Sequence, residues 1–143
     1  MFLRFVAAVT LLVSPLAAHS NDKVYSAAEA VALADASKRG KQGVFEMDVK
    51  GTGRIGSVVF LNSEADYRSP DALTFRIAPN VRKALERRYG ASPETYLRGK
   101  HVVVKGTVAR QMIVNTKNGR VVDFNRWQHT VKILLESQIV SVR

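Results

Sequence analysis

Residues 44–77, VFEMDVKGTGRIGSVVFLNSEADYRSPDALTFRI, decide the fold. Apolar side chains recur here with period two. Phe45, Met47 and Val49 share one face of an extended segment, and Glu46, Asp48 and Lys50 share the other. Gly51-Thr52-Gly53 reads as a turn. Residues 55–61, IGSVVFL, read as a second strand, apolar on both faces. A polar loop from Asn62 to Asp71 contains Pro70. LTFRIA follows as a third strand, with Leu73, Phe75 and Ile77 inward and Thr74 and Arg76 outward.

Outside this stretch the period changes. Upstream, Ser26 precedes AAEAVALADASKRG with Glu29 three positions on, a capping-box pattern opening an alanine-rich helix that Lys38, Arg39 and Gly40 would close. Such a helix has only small apolar groups to bury, so shallow packing is expected. Downstream, Asn80 is the expected N-cap of a helix whose apolar stripe is Val81, Ala84, Leu85 and Tyr89, ending at Gly90. Residues 93–97 read as one more helical turn capped by Ser92. A fourth strand runs from Lys100 to about Gln111, with Val102, Val104 and Val108 on one face and His101, Lys105 and Thr107 on the other. Residues 112–129 read as a polar excursion whose Asn118-Gly119 marks a hairpin tip. A last strand from Thr130 to Val142 is expected, with a bulge near Glu136-Ser137.

The order is therefore helix, three strands, helix, two strands, which is that of the OB-fold, a mainly β, five-stranded Greek-key barrel. The expected fold has a helix plugging the barrel between strands three and four and an extra N-terminal helix. An open sheet with the same order is the competing architecture. Within residues 44–77 the glycine turn, the Phe60-Leu61-Asn62 triplet, the loop with Asp66 and the strand Leu73-Thr74-Phe75-Arg76-Ile77 resemble the nucleic-acid-binding OB domains related to the tRNA anticodon-binding module. LRGKHVVVKGTV and ILLESQIVSV resemble the last two strands of small exported OB domains. The resemblance spans about residues 43–142 and departs from the family at the long 112–129 segment and at Asn62, where an acid is usual.

The resemblance implies a ligand lying across strands two and three, flanked by two loops. Aromatic rings there stack on bases and cations meet phosphates. It makes Phe60 the candidate stacking platform if Val59 and Leu61 fill the core; the other reading packs Phe60 under the N-terminal helix. Arg76 is either a phosphate or base contact or a solvated edge arginine. Lys50 and Arg54 bracket the first glycine turn, and Lys117, Arg120, Arg126 and Trp127 occupy the other flanking loop. Trp127 is either a stacking group or a lid. Contacts by Lys50, Arg54, Arg76, Arg120 and Arg126 imply a log-affinity against log-salt slope of roughly −2 to −4. The densest basic cluster, Arg82, Lys83, Arg87 and Arg88, lies on the plugging helix and reads as a solvated face, with a second polyanion surface as the alternative.

The chain begins MFLRFVAAVTLLVSPLAAHS. Arg4, a short apolar run ended by Pro15, and Ala17-Ala18 make the pattern of a secretory signal peptide, with cleavage expected near Ala18. The run is shorter than the roughly 20 residues a spanning helix needs. Residues 19–143 would then form a single OB-like domain, periplasmic or secreted, with no transmembrane span. Losing Arg4 leaves 21 Lys+Arg against 12 Asp+Glu, a balance suited to polyanionic partners. The absence of cysteine excludes disulfides, thiolate metal sites and thiol nucleophiles.

Three functions compete. The first is a binding module for single-stranded nucleic acid or another extended polyanion. The second is an envelope interaction protein for glycan, lipid head group or protein. The third is a nuclease, which needs clustered carboxylates for a metal. Glu64, Asp66, Arg68 and Asp71 instead read as turn chemistry, and the three histidines are scattered. The expectation is a non-enzyme with no cofactor and no metal.

Overall fold

The computed structural model describes residues 22–143; the signal-peptide reading of residues 1–18 lies outside them. The chain is mainly β. Its elements are β1 (Val24–Tyr25), α1 (Ala27–Ala36), β2 (Lys41–Asp48), β3 (Gly51–Ile55), β4 (Val58–Asn62), β5 (Leu73–Ile77), α2 (Pro79–Tyr89), α3 (Pro93–Tyr96), β6 (His101–Lys117), β7 (Arg120–Ile133) and β8 (Ile139–Val142), with a 3₁₀ turn at Glu136–Gln138. One mixed sheet has the order β1-β2-β6-β7-β5-β4-β3, and β8 pairs with β6. Among the described residues no helix is long and apolar enough to cross a membrane.

The period-two reading places the core. Phe45, Met47, Val49, Val59, Leu61, Leu73, Phe75, Ile77, Val102, Val104 and Val108 are all buried in one cluster. Burying each large side chain contributes about 1.5–3 kcal/mol. Helix α1 covers this cluster through Ala30 and Ala34, small residues that allow close approach. Its capping box is formed: the Glu29 N–H donates to Ser26 Oγ at 3.3 Å, and the Ser26 N–H donates to Glu29 Oε2 at 2.9 Å. Helix α2 adds Val81 and Leu85 and stops at Gly90, which is left-handed at φ 68°.

Several boundaries differ from expectation. Gly51-Thr52-Gly53 is not a turn but the start of β3; the reversal comes at Gly56 (φ 58°) and Ser57. Glycine at 51 serves close approach, since a Cβ there would lie 2.9 Å from the Glu64 carbonyl oxygen. The second expected strand therefore splits, leaving Ile55 on β3 and Val58–Asn62 as β4. Ala78, not Asn80, is the N-cap of α2, because Pro79 suits the first helical position and lacks an N–H to satisfy. Asn80 instead donates from Nδ2 to the Leu134 carbonyl oxygen at 3.0 Å.

The 112–129 stretch is not an excursion from the sheet. Strands β6 and β7 run out to a tip at Asn118 (φ 52°) and Gly119 (φ 72°). The expected single strand 130–142 is broken. The chain leaves β7 after Ile133, turns through Glu136–Gln138 and returns as β8. The Gln138 side chain holds this break: Oε1 accepts from the Leu134 and Leu135 N–H groups, and Nε2 donates to the Lys105 and Lys132 carbonyl oxygens.

Candidate nucleic-acid interface

Alternation on β4 sends Val59 and Leu61 into the core and leaves Phe60 half-buried on the opposite face. Of the two sequence readings of Phe60, the outward one holds. Phe60 stands between Gly53 on β3 and Arg76 on β5, and Arg76 stands beside Lys132 on β7. Gly53, Phe60, Arg76 and Lys132 thus form one row across four strands, all on one face. A Cβ on Gly53 would meet nothing within 4 Å, so that flank of the phenyl ring is open. Arg76 and Lys132 are like charges placed directly opposite, an arrangement that is destabilising alone and favours an anion above it.

A cleft of about 420 Å³ lies over this face. Phe60, Arg54, Arg76 and Arg126, four of the seven expected ligand-binding residues, line it, and no carboxylate does. Tyr67, from the 63–72 loop, supplies a second ring, with the Arg126 guanidinium 5.3 Å from its centroid. Asp66 and Arg68 hold the loop around it: the Arg68 N–H and Nε both donate to Asp66 Oδ1, at 3.0 and 3.1 Å. The Arg68 backbone N–H, and then its side chain, keep the Asp66 carboxyl below the ordinary carboxylate range. At the base, Thr74 donates to Asn62 Oδ1 at 2.8 Å, which gives Asn62 a buried structural partner. Gln111 Oε1 and Arg126 Nε, both on cleft-lining residues, are buried without a hydrogen-bond partner.

The other expected residues are placed differently. Arg54 lines the cleft but is ion-paired with Glu86 at 3.0 Å and Glu94 at 2.7 Å, tying β3 to α2 and α3. Hydrogen bonds from Arg82, foremost, and Arg54 depress the Glu86 carboxyl. Lys50 belongs to a separate recess beside Glu46, Asp48 and His101. Arg120 sits at the ribbon tip opposite Lys117. Trp127 pairs with Met112 on the ribbon face opposite Arg126, with Arg110 stacked over it at 4.6 Å. On the basic helix, Arg82 bonds Glu86 and the Ser57 carbonyl oxygen, and Arg88 pairs with Glu136 at 3.1 Å.

Sequence reasoning missed Tyr67, Lys132, Gln111 and Gln128. Tyr67 was visible as the lone aromatic in a polar loop. Lys132 needed the parallel β5–β7 register, which no local pattern carries. Among the described residues no group of three or more acidic or histidine side chains is placed to hold a metal ion.

No family model matches the chain, and no curated protein matches it. Solved structures give low-similarity likenesses. A chain described as an aspartyl-tRNA synthetase from Leishmania major is 13% identical with a TM-score of 0.44, covering 93% of this chain and 22% of its own. OBody AM3L09, bound to hen egg-white lysozyme, is 15% identical with a TM-score of 0.38, covering 72% of this chain and 79% of its own. OBody AM2EP06, bound to the same protein, is 17% identical with a TM-score of 0.37, covering 71% and 92%. All three TM-scores lie below 0.5, and the candidate interface stands on its own geometry.

Proposed function

We propose that this chain is an exported OB-type binding module that holds single-stranded nucleic acid, or a similar extended polyanion, across β3, β4, β5 and β7. Three features support the barrel reading. Strands β2 and β3 lie at opposite positions in the sheet order yet are separated by only Val49 and Lys50, so they serve as halves of one bent strand. β5 and β7 are parallel, and α2 and α3 fall between β5 and β6, as the OB order requires. Export rests on the leader-like residues 1–18.

The observation that carries the function is the row Gly53–Phe60–Arg76–Lys132. It offers an aromatic face open on one side and two cations on successive strands on the other, the residue types that a stacked base and its phosphate call for. Tyr67 and Arg126 extend the same chemistry along the cleft. Binding without catalysis is the reading, because the cleft lining supplies no carboxylate for a metal or a general base.

Fluorescence anisotropy with a labelled oligothymidylate tests the proposal. Saturable binding that competes with unlabelled single strands is expected. Binding that prefers a neutral glycan and ignores salt would reject it. The processed protein should carry a new N-terminus near His19 by mass spectrometry; an intact Met1 on exported protein would reject cleavage. It should also leave oligonucleotides uncut with Mg²⁺ or Ca²⁺ present, and metal-dependent cutting lost in Asp66→Ala would restore the nuclease reading.

A further inference from the structure

β2 pairs with β6 only as far as Val108, and β5 pairs with β7 only from His129 onward. Residues 109–117 and 120–128 therefore pair with each other alone, as a two-stranded ribbon beyond the body of the sheet. Alternation continues along it. The face bearing Gln111 and Arg126 continues the cleft. The face bearing Met112, Val114, Phe124 and Trp127 continues the inward side of Val108 and Val131, but the described residues place no layer over it.

The result is an apolar strip on a soluble-facing ribbon. Met112 is 56% exposed, Val121 66%, Val122 58%, Phe124 52% and Trp127 42%. Phe124 and Trp127 pack against each other with ring centroids 5.7 Å apart. An isolated two-stranded ribbon is marginally stable in water, so a second surface against this face would stabilise it. Charge decides among surfaces. This face carries Arg110, stacked on Trp127, and the ribbon tip beside it carries Lys117 and Arg120 against Asp123, on a chain with formal charge +10. Two such ribbons would repel each other, and a second copy fits poorly. A solvated polyanion does not reward exposed aliphatic groups such as Met112, Val121 and Val122. A bilayer with anionic head groups satisfies both halves: apolar side chains enter the acyl boundary, indole sits at the interface, and cations meet the phosphates.

We propose that the Met112–Phe124–Trp127 face of the β6–β7 ribbon docks on an anionic membrane surface, leaving the cleft on the opposite face free. The chain's single tryptophan reports on this directly. The exported protein, as the cell processes it, is mixed with phosphatidylglycerol–phosphatidylcholine vesicles or with phosphatidylcholine alone. Trp127 emission should shift to the blue, and be quenched by brominated acyl chains, only with the anionic vesicles, and high salt should reverse the shift. Val122→Ser with Phe124→Ser should weaken vesicle partitioning by about tenfold or more, and Phe60→Ala should not change it. The wild-type quenching needs no variant, so a misfolded double variant does not remove the test.

Three outcomes overturn the proposal. Trp127 emission that responds to oligonucleotide but not to vesicles would assign the face to nucleic acid. Concentration-dependent dimerisation lost in Phe124→Ser would assign it to a second copy. Emission that is already blue and indifferent to vesicles would mean the chain covers its own ribbon.

Discussion

Gly53 has no side chain opposite Phe60, and filling that space isolates stacking from stability. Gly53 lies in a strand, and a Cβ there meets nothing. Gly53→Leu should therefore keep the melting temperature while covering the phenyl face and weakening oligonucleotide binding, as read by anisotropy. Phe60→Ala removes the platform itself and should cost about 1–3 kcal/mol of binding, but a half-buried ring also contributes to stability, so its melting curve is needed beside the titration. If Gly53→Leu binds as tightly as wild type, Phe60 is not the stacking surface. Gly51 is the contrasting case. A Cβ there meets backbone oxygens at 2.9 and 3.3 Å, so Gly51→Ala should destabilise by about 1–3 kcal/mol in denaturant. His101 offers a pH test. Its Nδ1 lies 2.8 Å from Asp48 and its Nε2 3.1 Å from Glu46, and hydrogen bonding to Asp48 first, then Glu46, raises its pKa above 6.5. The stabilisation is then complete below the unfolded value and is lost as pH rises through the folded one. The melting-temperature gap between wild type and His101→Gln should be widest below pH 6.5 and shrink as pH rises above it through the raised folded value; a constant gap would mean the imidazolium does not contribute.

At the level of elements, local signals were legible wherever a short motif has one physical solution. Ser26 and Glu29 form the expected capping box, and Ser26→Ala should cost about 1 kcal/mol by chemical denaturation. A larger loss would imply that α1, packed on Ala30 and Ala34, orders more than itself. Asn118-Gly119 likewise announced its tip, since both positions need positive φ. Strand ends were less legible. Gly51 and Gly53 imitate a turn because glycine answers equally to a reversal and to close backbone approach, and only the 64–65 loop above β3 distinguishes the two. The ribbon read as polar because its two faces interleave apolar and charged residues and its β-bulges shift the register. Arg54 read as a ligand contact because its partners Glu86 and Glu94 lie over 30 residues away. The resemblance made Phe60 and Arg76 candidates and alternation gave their outward facing, whereas Tyr67 reaches the cleft by a loop path and Lys132 comes beside Arg76 only through long-range pairing.

For the molecule as a whole, net charge and local contact make different claims about salt. A formal charge of +10 would attract any polyanion from a distance, and such attraction is screened over roughly 8–10 Å at physiological salt. Counterion release depends instead on how many phosphates are actually neutralised. Of the five cations first considered, Arg54 is engaged by two carboxylates, Lys50 lies in another recess and Arg120 is at the ribbon tip. Arg76 and Arg126 remain in the cleft, and Lys132, which lines the neighbouring recess that shares Gln111, is the cross-strand partner of Arg76 and the third candidate contact. At about −0.7 per phosphate, two or three contacts give a slope of roughly −1.4 to −2.1, shallower than the roughly −2 to −4 that all five cations would give. Arg76→Ala should reduce the slope by about 0.7, and Arg76→Ala with Lys132→Ala by about 1.4. Lys83→Ala with Arg87→Ala removes the same formal charge from α2 and should leave the slope unchanged while lowering affinity slightly at low salt. Titrations at four or more salt concentrations separate the cases. Should the α2 pair flatten the slope as much as the cleft pair does, the polyanion follows bulk charge and the cleft is not its path.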